Sequence, residues 1–304
     1  MNLFLVSRQP SRSLYDAVSE GSAAVVIRRY SSSFGLASRL LAEPVRTQVR
    51  NVYALVRIAD EIVDNPDPGL RLDARTRMLS WLHDDVRHAL QSGYSSNLVV
   101  HAFARTATRC GIGEELIDPF FESMRTDLTT TVHTRASFDR YVYGSAEVVG
   151  LMCLRVFLSR DDAGRRAGAA ATVGARDDDY DRLAPGARRL GAAFQKLNFL
   201  RDLAEDHDTL SRSYFPGLDV ERFCDADRDR ILDEIAADLD AAAAVIPELP
   251  ASSRRAVRAA HATFAELAAR LRATPAAEIR RTRVRVPQAV KVRLLAGALY
   301  GGRP

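Results

Sequence analysis

Little in this chain of 304 residues supports a disulfide-bonded, sheet-rich or membrane-spanning protein. There are three cysteines, Cys110, Cys153 and Cys224, isolated and without C-x-x-C spacing. An odd, scattered set excludes a disulfide framework and a structural zinc site, and it predicts a reducing, cytoplasmic setting. Strand signals are nearly absent; Val284-Arg285-Val286 alternates but is short. No run approaches the roughly 18 apolar residues needed to span a bilayer. The apolar start, Met1 to Val6, is too short for a signal peptide and is followed by Arg8 and Arg12. An excess of one charge is missing too. The 43 Lys and Arg against 39 Asp and Glu leave a formal charge of +4. The basic residues are scattered among acids, and no reading motif accompanies them, so nucleic acid is not expected as a partner.

What the chain does have is helical periodicity almost throughout. At 47% hydrophobic residues it can bury a large core. Leu36, Leu40, Val49, Val52, Tyr53, Val56, Ile58 and Ile62 recur at spacings of three and four. Pro44 is placed to start a helix, and the run Asn65 to Gly69, with two prolines and a glycine, to end it. Further helices are predicted over 72–92, 97–110, 113–128, 136–158, 187–207, 227–245, 251–272 and 287–299. We expect an N-terminal segment over 1–24 and a single all-α domain over 25–300. The polar stretch from Asp161 to Pro185, with Asp177-Asp178-Asp179-Tyr180-Asp181 inside it, reads as a solvated connection because it lacks an apolar face.

Two motifs of the form D-x-x-x-D stand far apart in this helical pattern: Asp60 to Asp64, and Asp202 to Asp206. Residues four apart share a helix face, so each pair sets like charges one turn apart, at a cost of a few tenths of a kcal/mol. Repeating that cost implies a compensating cation. Hard oxygen donors suit Mg²⁺, with Mn²⁺ as a substitute, and Mg²⁺ also takes phosphate oxygens. Tyr53, Arg57, Asp60 and Asp64 form one stripe; Gln195, Asn198, Asp202 and Asp206 form another. Either stripe alone could be a surface salt-bridge row. Two of them predict helices facing each other across a cavity that handles diphosphate. Tyr30-Ser31-Ser32-Ser33-Phe34 offers hydroxyls beside an aromatic ring, or a routine helix start. Gly144 and Gly150, in the segment from Tyr141 to Gly150, predict close approach of a ligand or of another helix.

These residues, in this order, resemble the signatures of the squalene/phytoene synthases. The first is Ser33-Phe34 with Tyr53 to Asp64; the middle segment is Tyr141 to Gly150; the second is Gln195 to Asp206 followed by Arg212-Ser213-Tyr214-Phe215-Pro216. The resemblance implies an all-α isoprenoid-synthase helical bundle around a central cavity. It implies head-to-head (1′-1) condensation of two allylic diphosphates through a cyclopropylcarbinyl diphosphate. By that resemblance Asp60, Asp64, Asn198, Asp202 and Asp206 would hold Mg²⁺, with Glu61 and Glu205 assisting. Tyr53, Arg57, Gln195, Arg212 and Ser33 would grip diphosphate. Phe34, Tyr141, Ala146 and Gly150 would line the prenyl channel.

The chain departs from the family pattern in places. Tyr30 and Ser32 stand where many members carry His and Lys, and Glu147 stands where a small residue is usual. A carboxylate beside a hydrocarbon channel is costly to bury, so Glu147 is expected to point away or pair with a base. The first signature is most like bacterial phytoene synthases, which implies two geranylgeranyl diphosphates and carotenoid biosynthesis. The alternative is a squalene or dehydrosqualene synthase using two farnesyl diphosphates, with NADPH needed only for squalene. A non-catalytic assembly protein should have lost its aspartates, and a single-diphosphate cyclase should carry an N-S-E motif; neither fits. Arg280, Arg281, Arg283, Arg285, Lys291 and Arg293 form a basic patch that could rest on anionic lipid, giving peripheral association at the inner face of a membrane.

Overall fold

The computed structural model describes residues 13–31, 33–65, 67, 69–159, 173–210 and 212–300. The side chains of Ser33, residues 173–176, Leu210 and Tyr300 lie outside that description. Helices α1 to α8 are Leu14–Tyr30, Ser33–Ala37, Val45–Val63, Leu72–Ser92, Leu98–Cys110, Glu114–Asp127, Arg135–Val142 and Val148–Leu158. Helices α9 to α14 are Val173–Arg201, Leu203–Leu210, Asp225–Val245, Ala251–Ala273, Ala276–Ile279 and Gln288–Tyr300. Among the described residues there is no sheet; one isolated bridge joins Val132 to Ser213.

The helices begin and end where local chemistry directs. Asn97 accepts from the amides of Val99 and Val100 at the start of α5, and Thr134 accepts from Ser137 at the start of α7. Gly93 and Gly111 close α4 and α5 at φ 75° and 71°, a left-handed conformation that is strained for other residues. α3 begins directly after Pro44, and Asp64 caps its C-terminus with its backbone N–H on Asp60.

Two differences from the sequence reading concern boundaries. The division placed at residues 24 and 25 falls inside α1, which packs on α3 and α5. Ser13 and Asp16 form a reciprocal capping box there, and Asp16 also reaches His101 of α5 at 2.8 Å. α1 was missed because its apolar residues do not keep to one face: Leu14, Val18 and Val25 are exposed. The connection expected from 161 to 185 is also shorter. Residues 160–172 lie outside the described residues, and α9 already contains the acidic run 177–181. That run is solvated as expected, with Asp177 on Arg155 at 3.3 Å and Asp179 on Arg182 at 2.6 Å.

Two large apolar clusters fill the interior. One gathers α3, α4, α5, α6 and α8 around Phe103, Phe120, Phe121 and Leu55. The other gathers α7, α9, α11 and α12 around Phe138, Leu197, Leu200 and Ile235. α9 runs between them, packing on α8 and on α11. The buried Asp238 of α11 takes Lys196 and Arg189 of α9, each at 2.8 Å, so a charge is buried only with two partners. Arg135–Leu158 is, by length and composition, long and apolar enough to cross a bilayer. This differs from the expectation that no run approaches spanning length, because the window tolerates the few polar residues within it. Phe138, Val142, Val148, Met152 and Val156 are all nearly inaccessible, so this is a core helix.

Candidate active site

α3, α8, α9 and α12 enclose a cavity of about 950 Å³. Its depth is apolar, with Leu41, Leu154, Phe157, Leu183, Leu249 and Val257 among the walls. Its mouth is polar: Tyr53, Arg57 and Asp60 come from α3, and Gln195, Asn198 and Arg201 from α9. Tyr53, Arg57 and Asp60 of one stripe and Gln195 and Asn198 of the other therefore face one space, whereas Asp64, Asp202 and Asp206 are not among its lining residues. Phe34, Ala146 and Gly150 line it as well. Phe34 stacks on Tyr53 with ring centroids 5.7 Å apart, which turns both rings into one wall. Ser33 begins α2, but its side chain is among those not described.

The two aspartate motifs are built differently. The first ends its helix at Asp64. The second straddles a break between α9 and α10 at Asp202, yet the amide of Asp206 still donates to the Asp202 carbonyl at 2.9 Å. The four-residue spacing survives the break. Arg201 and Arg283 both hold the Asp202 carboxylate, Arg201 Nε at 2.9 Å and Arg283 Nε at 2.8 Å. Arg57 pairs with Glu61 on its own helix and lies over the Tyr30 ring at 4.6 Å.

Arg212 was expected to grip diphosphate. It is instead buried and occupied. Its Nη1 donates to Asp64 Oδ1 at 2.6 Å and to the Tyr214 hydroxyl at 3.2 Å; its Nη2 donates to the carbonyls of Val63 and Asp127. Tyr141 was expected in the channel wall, but it is not among the cavity's lining residues. It is buried and donates to Asp127 Oδ2 at 2.8 Å. Asp127, at the end of α6, is a fifth carboxylate that the sequence reading missed. It has no partner acid four residues away, and its neighbours Arg125, Thr126 and Thr129 are polar, so no motif or apolar setting marked it.

Crowding of like charge shows in the ionisation of these acids. Burial and Asp64 push Asp60 well above the usual carboxylate range, against the pull of Arg57. Burial and Asp202 push Asp206 up to about 7, against Arg212. Burial pushes Asp127 up to about 7 as well, although Arg212 and the Tyr141 hydroxyl oppose it. Asp60 and the neutral Asn198 both line the cavity and are hard oxygen donors, and a divalent cation there would relieve the strain on Asp60. Among the described residues no three acidic, histidine or cysteine side chains converge on one point.

The remaining departures resolve physically. Glu147 lies beside the cavity wall and receives Arg188 Nε at 2.6 Å, so it pairs with a base as expected. Gly150 and Gly191 mark helix packing: a Cβ on either would stand 2.5 Å from a carbonyl oxygen, Ala187 or Ala146 respectively. Gly144 does the same against Pro119 of α6. The basic patch is partly spent within the fold. Arg283 sits on Asp202 and Glu205, and Arg280 on Asp208.

The all-α bundle around a large, mainly apolar cavity is the isoprenoid-synthase helical fold. The squalene/phytoene synthase family model matches residues 27–289, and the chain belongs to that family. It is 30% identical to phytoene synthase 3, chloroplastic, of Zea mays over 69% of this chain and 46% of that protein. It is 28% identical to the bifunctional lycopene cyclase/phytoene synthase of Sporisorium reilianum over 63% of this chain and 36% of that protein. The chain thus spans about half or less of the length of these two relatives. To the 15-cis-phytoene synthase of Enterobacter agglomerans it is 26% identical over 78% of this chain and 80% of that one. Among solved structures, a dehydrosqualene synthase superposes with a TM-score of 0.75 at 19% identity, covering 94% of this chain and 97% of that one. Squalene synthase HpnC from Alicyclobacillus acidocaldarius gives 0.69 at 18%, covering 86% and 95%.

Proposed function

We propose that the protein joins two geranylgeranyl diphosphates head to head and releases phytoene and diphosphate. The observation that carries this reading is the cavity: about 950 Å³, apolar in its depth, with the Asp60 carboxylate, the amides of Gln195 and Asn198, and Arg57 and Arg201 at its mouth. That volume lies near the top of the range of roughly 300–1,000 Å³ for ligand pockets, as two long chains require. The relatives with phytoene synthase names support the C20 substrate.

In this reading Asp60, Asp64, Asn198, Asp202 and Asp206 would hold Mg²⁺, which would supply charge neutralisation to the departing diphosphate. Arg57, Arg201 and Gln195 orient diphosphate oxygens at the mouth, the guanidinium groups through paired hydrogen bonds. The C1–O bond of one substrate breaks and its electron pair leaves on diphosphate. The C2=C3 bond of the second substrate attacks that C1; proton loss closes the cyclopropane. A second ionisation, ring rearrangement and proton loss give the conjugated triene. Phe34, Tyr53, Val149 and Gly150 wall the reacting carbons from water, which would otherwise capture the cation.

The test is a product assay on the full chain with Mg²⁺, offering farnesyl and geranylgeranyl diphosphate separately, each with and without NADPH. A C40 triene independent of NADPH is expected, identified by mass spectrometry. A C30 hydrocarbon would move the substrate to farnesyl diphosphate, and no hydrocarbon from either would overturn the reading.

A further inference from the structure

The corner between α1 and α2 sets two aromatic rings on the polar stripe of α3. Ser31 closes α1 with its N–H on the Ile27 carbonyl at 3.0 Å, and its hydroxyl accepts from the Gly35 N–H at 3.2 Å. Ile27, one turn before the corner, is buried, so this end of α1 is anchored in the fold. From the corner Phe34 stacks on Tyr53. The Tyr30 ring takes the Arg57 guanidinium over its face, with Cζ 4.6 Å from the ring centroid. Tyr30 and Phe34, four apart in the chain, thus meet Arg57 and Tyr53, which are one turn apart on α3. All four line the cavity.

The other tether of Arg57 is local. Among the described residues its hydrogen bond goes to Glu61, one turn along the same helix, and its buried Nε has no acceptor. The Glu61 side chain is 42% exposed, and a solvated i,i+4 pair holds a long side chain weakly. The Tyr30 ring is the contact that ties this guanidinium to a second helix. An aromatic face attracts a guanidinium through its quadrupole. Tyr30 stands where many family members carry His. An imidazole can take up a proton near neutral pH and would then repel Arg57, whereas a phenol ring cannot become a cation.

We propose that Tyr30 is a positioning residue, whose ring face holds the Arg57 guanidinium at the cavity mouth in the orientation that meets a diphosphate. The inference rests on the proposed prenyl diphosphate chemistry. Tyr30 acts through Arg57 and makes no bond to the substrate. Without the ring, Arg57 keeps its charge but gains rotamer freedom, which each binding event must then remove. The affinity for the anion falls by that cost.

Tyr30→Phe and Tyr30→Leu, made in the full chain and each combined with Arg57→Gln, test this. Inorganic diphosphate is titrated calorimetrically with Mg²⁺ present, and KM and kcat for geranylgeranyl or farnesyl diphosphate and the thermal midpoint are measured. Phenylalanine keeps the ring face and is expected to match the wild type. Leucine is expected to weaken diphosphate binding about two- to fivefold and to raise KM by a similar factor. Its midpoint should stay at the wild-type value, because Tyr30 is 52% exposed. In the Arg57→Gln background leucine should have no further effect, since the group through which the ring acts is gone. Wild-type diphosphate affinity in the leucine variant would overturn the proposal. So would a phenylalanine variant as impaired as leucine, which would mean that the hydroxyl meets the anion. An equal loss on both backgrounds would overturn it too, since Tyr30 would then act directly or through the fold. A wild-type protein that makes no hydrocarbon defeats the prenyl reading instead, while the titration still reads the coupling of Tyr30 to Arg57. A wild-type protein that binds no diphosphate overturns both.

Discussion

Arg212 joins the two aspartate motifs through one residue. Its guanidinium donates to Asp64 Oδ1 at 2.6 Å, and its backbone N–H donates to the Asp206 carbonyl at 2.9 Å. The same side chain also meets Tyr214 and the Asp127 carbonyl. Arg212 thus sets how the end of α3 stands against the start of α10.

Replacing Arg212 should therefore unfold the mouth before it touches the chemistry. Arg212→Ala leaves Asp64 and Asp127 without their shared cation, and breaking such a buried pair costs about 3–5 kcal/mol. Urea denaturation should show that loss. Arg212→Lys should recover only part of it, because an ammonium cannot reach the four acceptors at once. A wild-type midpoint for the alanine variant would contradict the bridging role.

Asp60→Asn and Asp202→Asn should lower turnover by about 10²-fold or more while circular dichroism remains helical. Asp60→Asn should also raise the thermal midpoint of Mg²⁺-free protein, since it removes a charge held next to Asp64 at a cost. The rise in midpoint that Mg²⁺ gives the wild type should shrink in the same variant. Normal turnover would refute the assignment.

The Mg²⁺-free protein should lose stability as pH rises from about 4 to 7. Asp127 and Asp206 are both pushed up to about 7 from an ordinary value of 3.8. The folded state therefore binds more protons than the unfolded state across that window, and the slope of stability against pH is negative. The contribution is full below the unfolded pKa and is lost through the folded one. Asp206→Asn should flatten the slope, as should saturating Mg²⁺. Denaturation midpoints at a series of pH values would show it.

Asp16 should behave in the opposite sense. Burial pushes its carboxyl up, but hydrogen bonds from His101 and Ser13 and the charge of Arg105 outweigh this and hold it below the usual range. Its stabilisation is present above the unfolded pKa and is lost as pH falls through the lowered one. Asp16→Asn should cost about 2 kcal/mol at neutral pH, and the difference from wild type should vanish in strong acid.

Gly150→Ala and Gly191→Ala should each destabilise by about 1–3 kcal/mol, because the new methyl meets a backbone carbonyl that can move only with its helix. Gly191→Ala, which is not at a proposed contact with the reacting atoms, should also shift product length or yield by changing the spacing of α8 and α9. An unchanged melting curve would mean that the helices separate freely.

The all-helical class, most helix limits and the two stripes were legible in the linear chain, because a 3.6-residue period and an i,i+4 spacing are local properties. Tyr53, Arg57 and Asp60 face the cavity for that reason, and so do Gln195 and Asn198. The tertiary structure decided which distant residues complete the site. Asp127 arrives from α6 and Arg283 from the stretch after α13, and neither belongs to a periodic pattern. It also turned Tyr141 and Arg212 from expected ligand contacts into supports, since both lie buried on Asp127 and Asp64. Side-chain periodicity determines which face a residue takes on its own helix. Only the packing of one helix on another determines whether that face meets a cavity, a counter-charge or solvent.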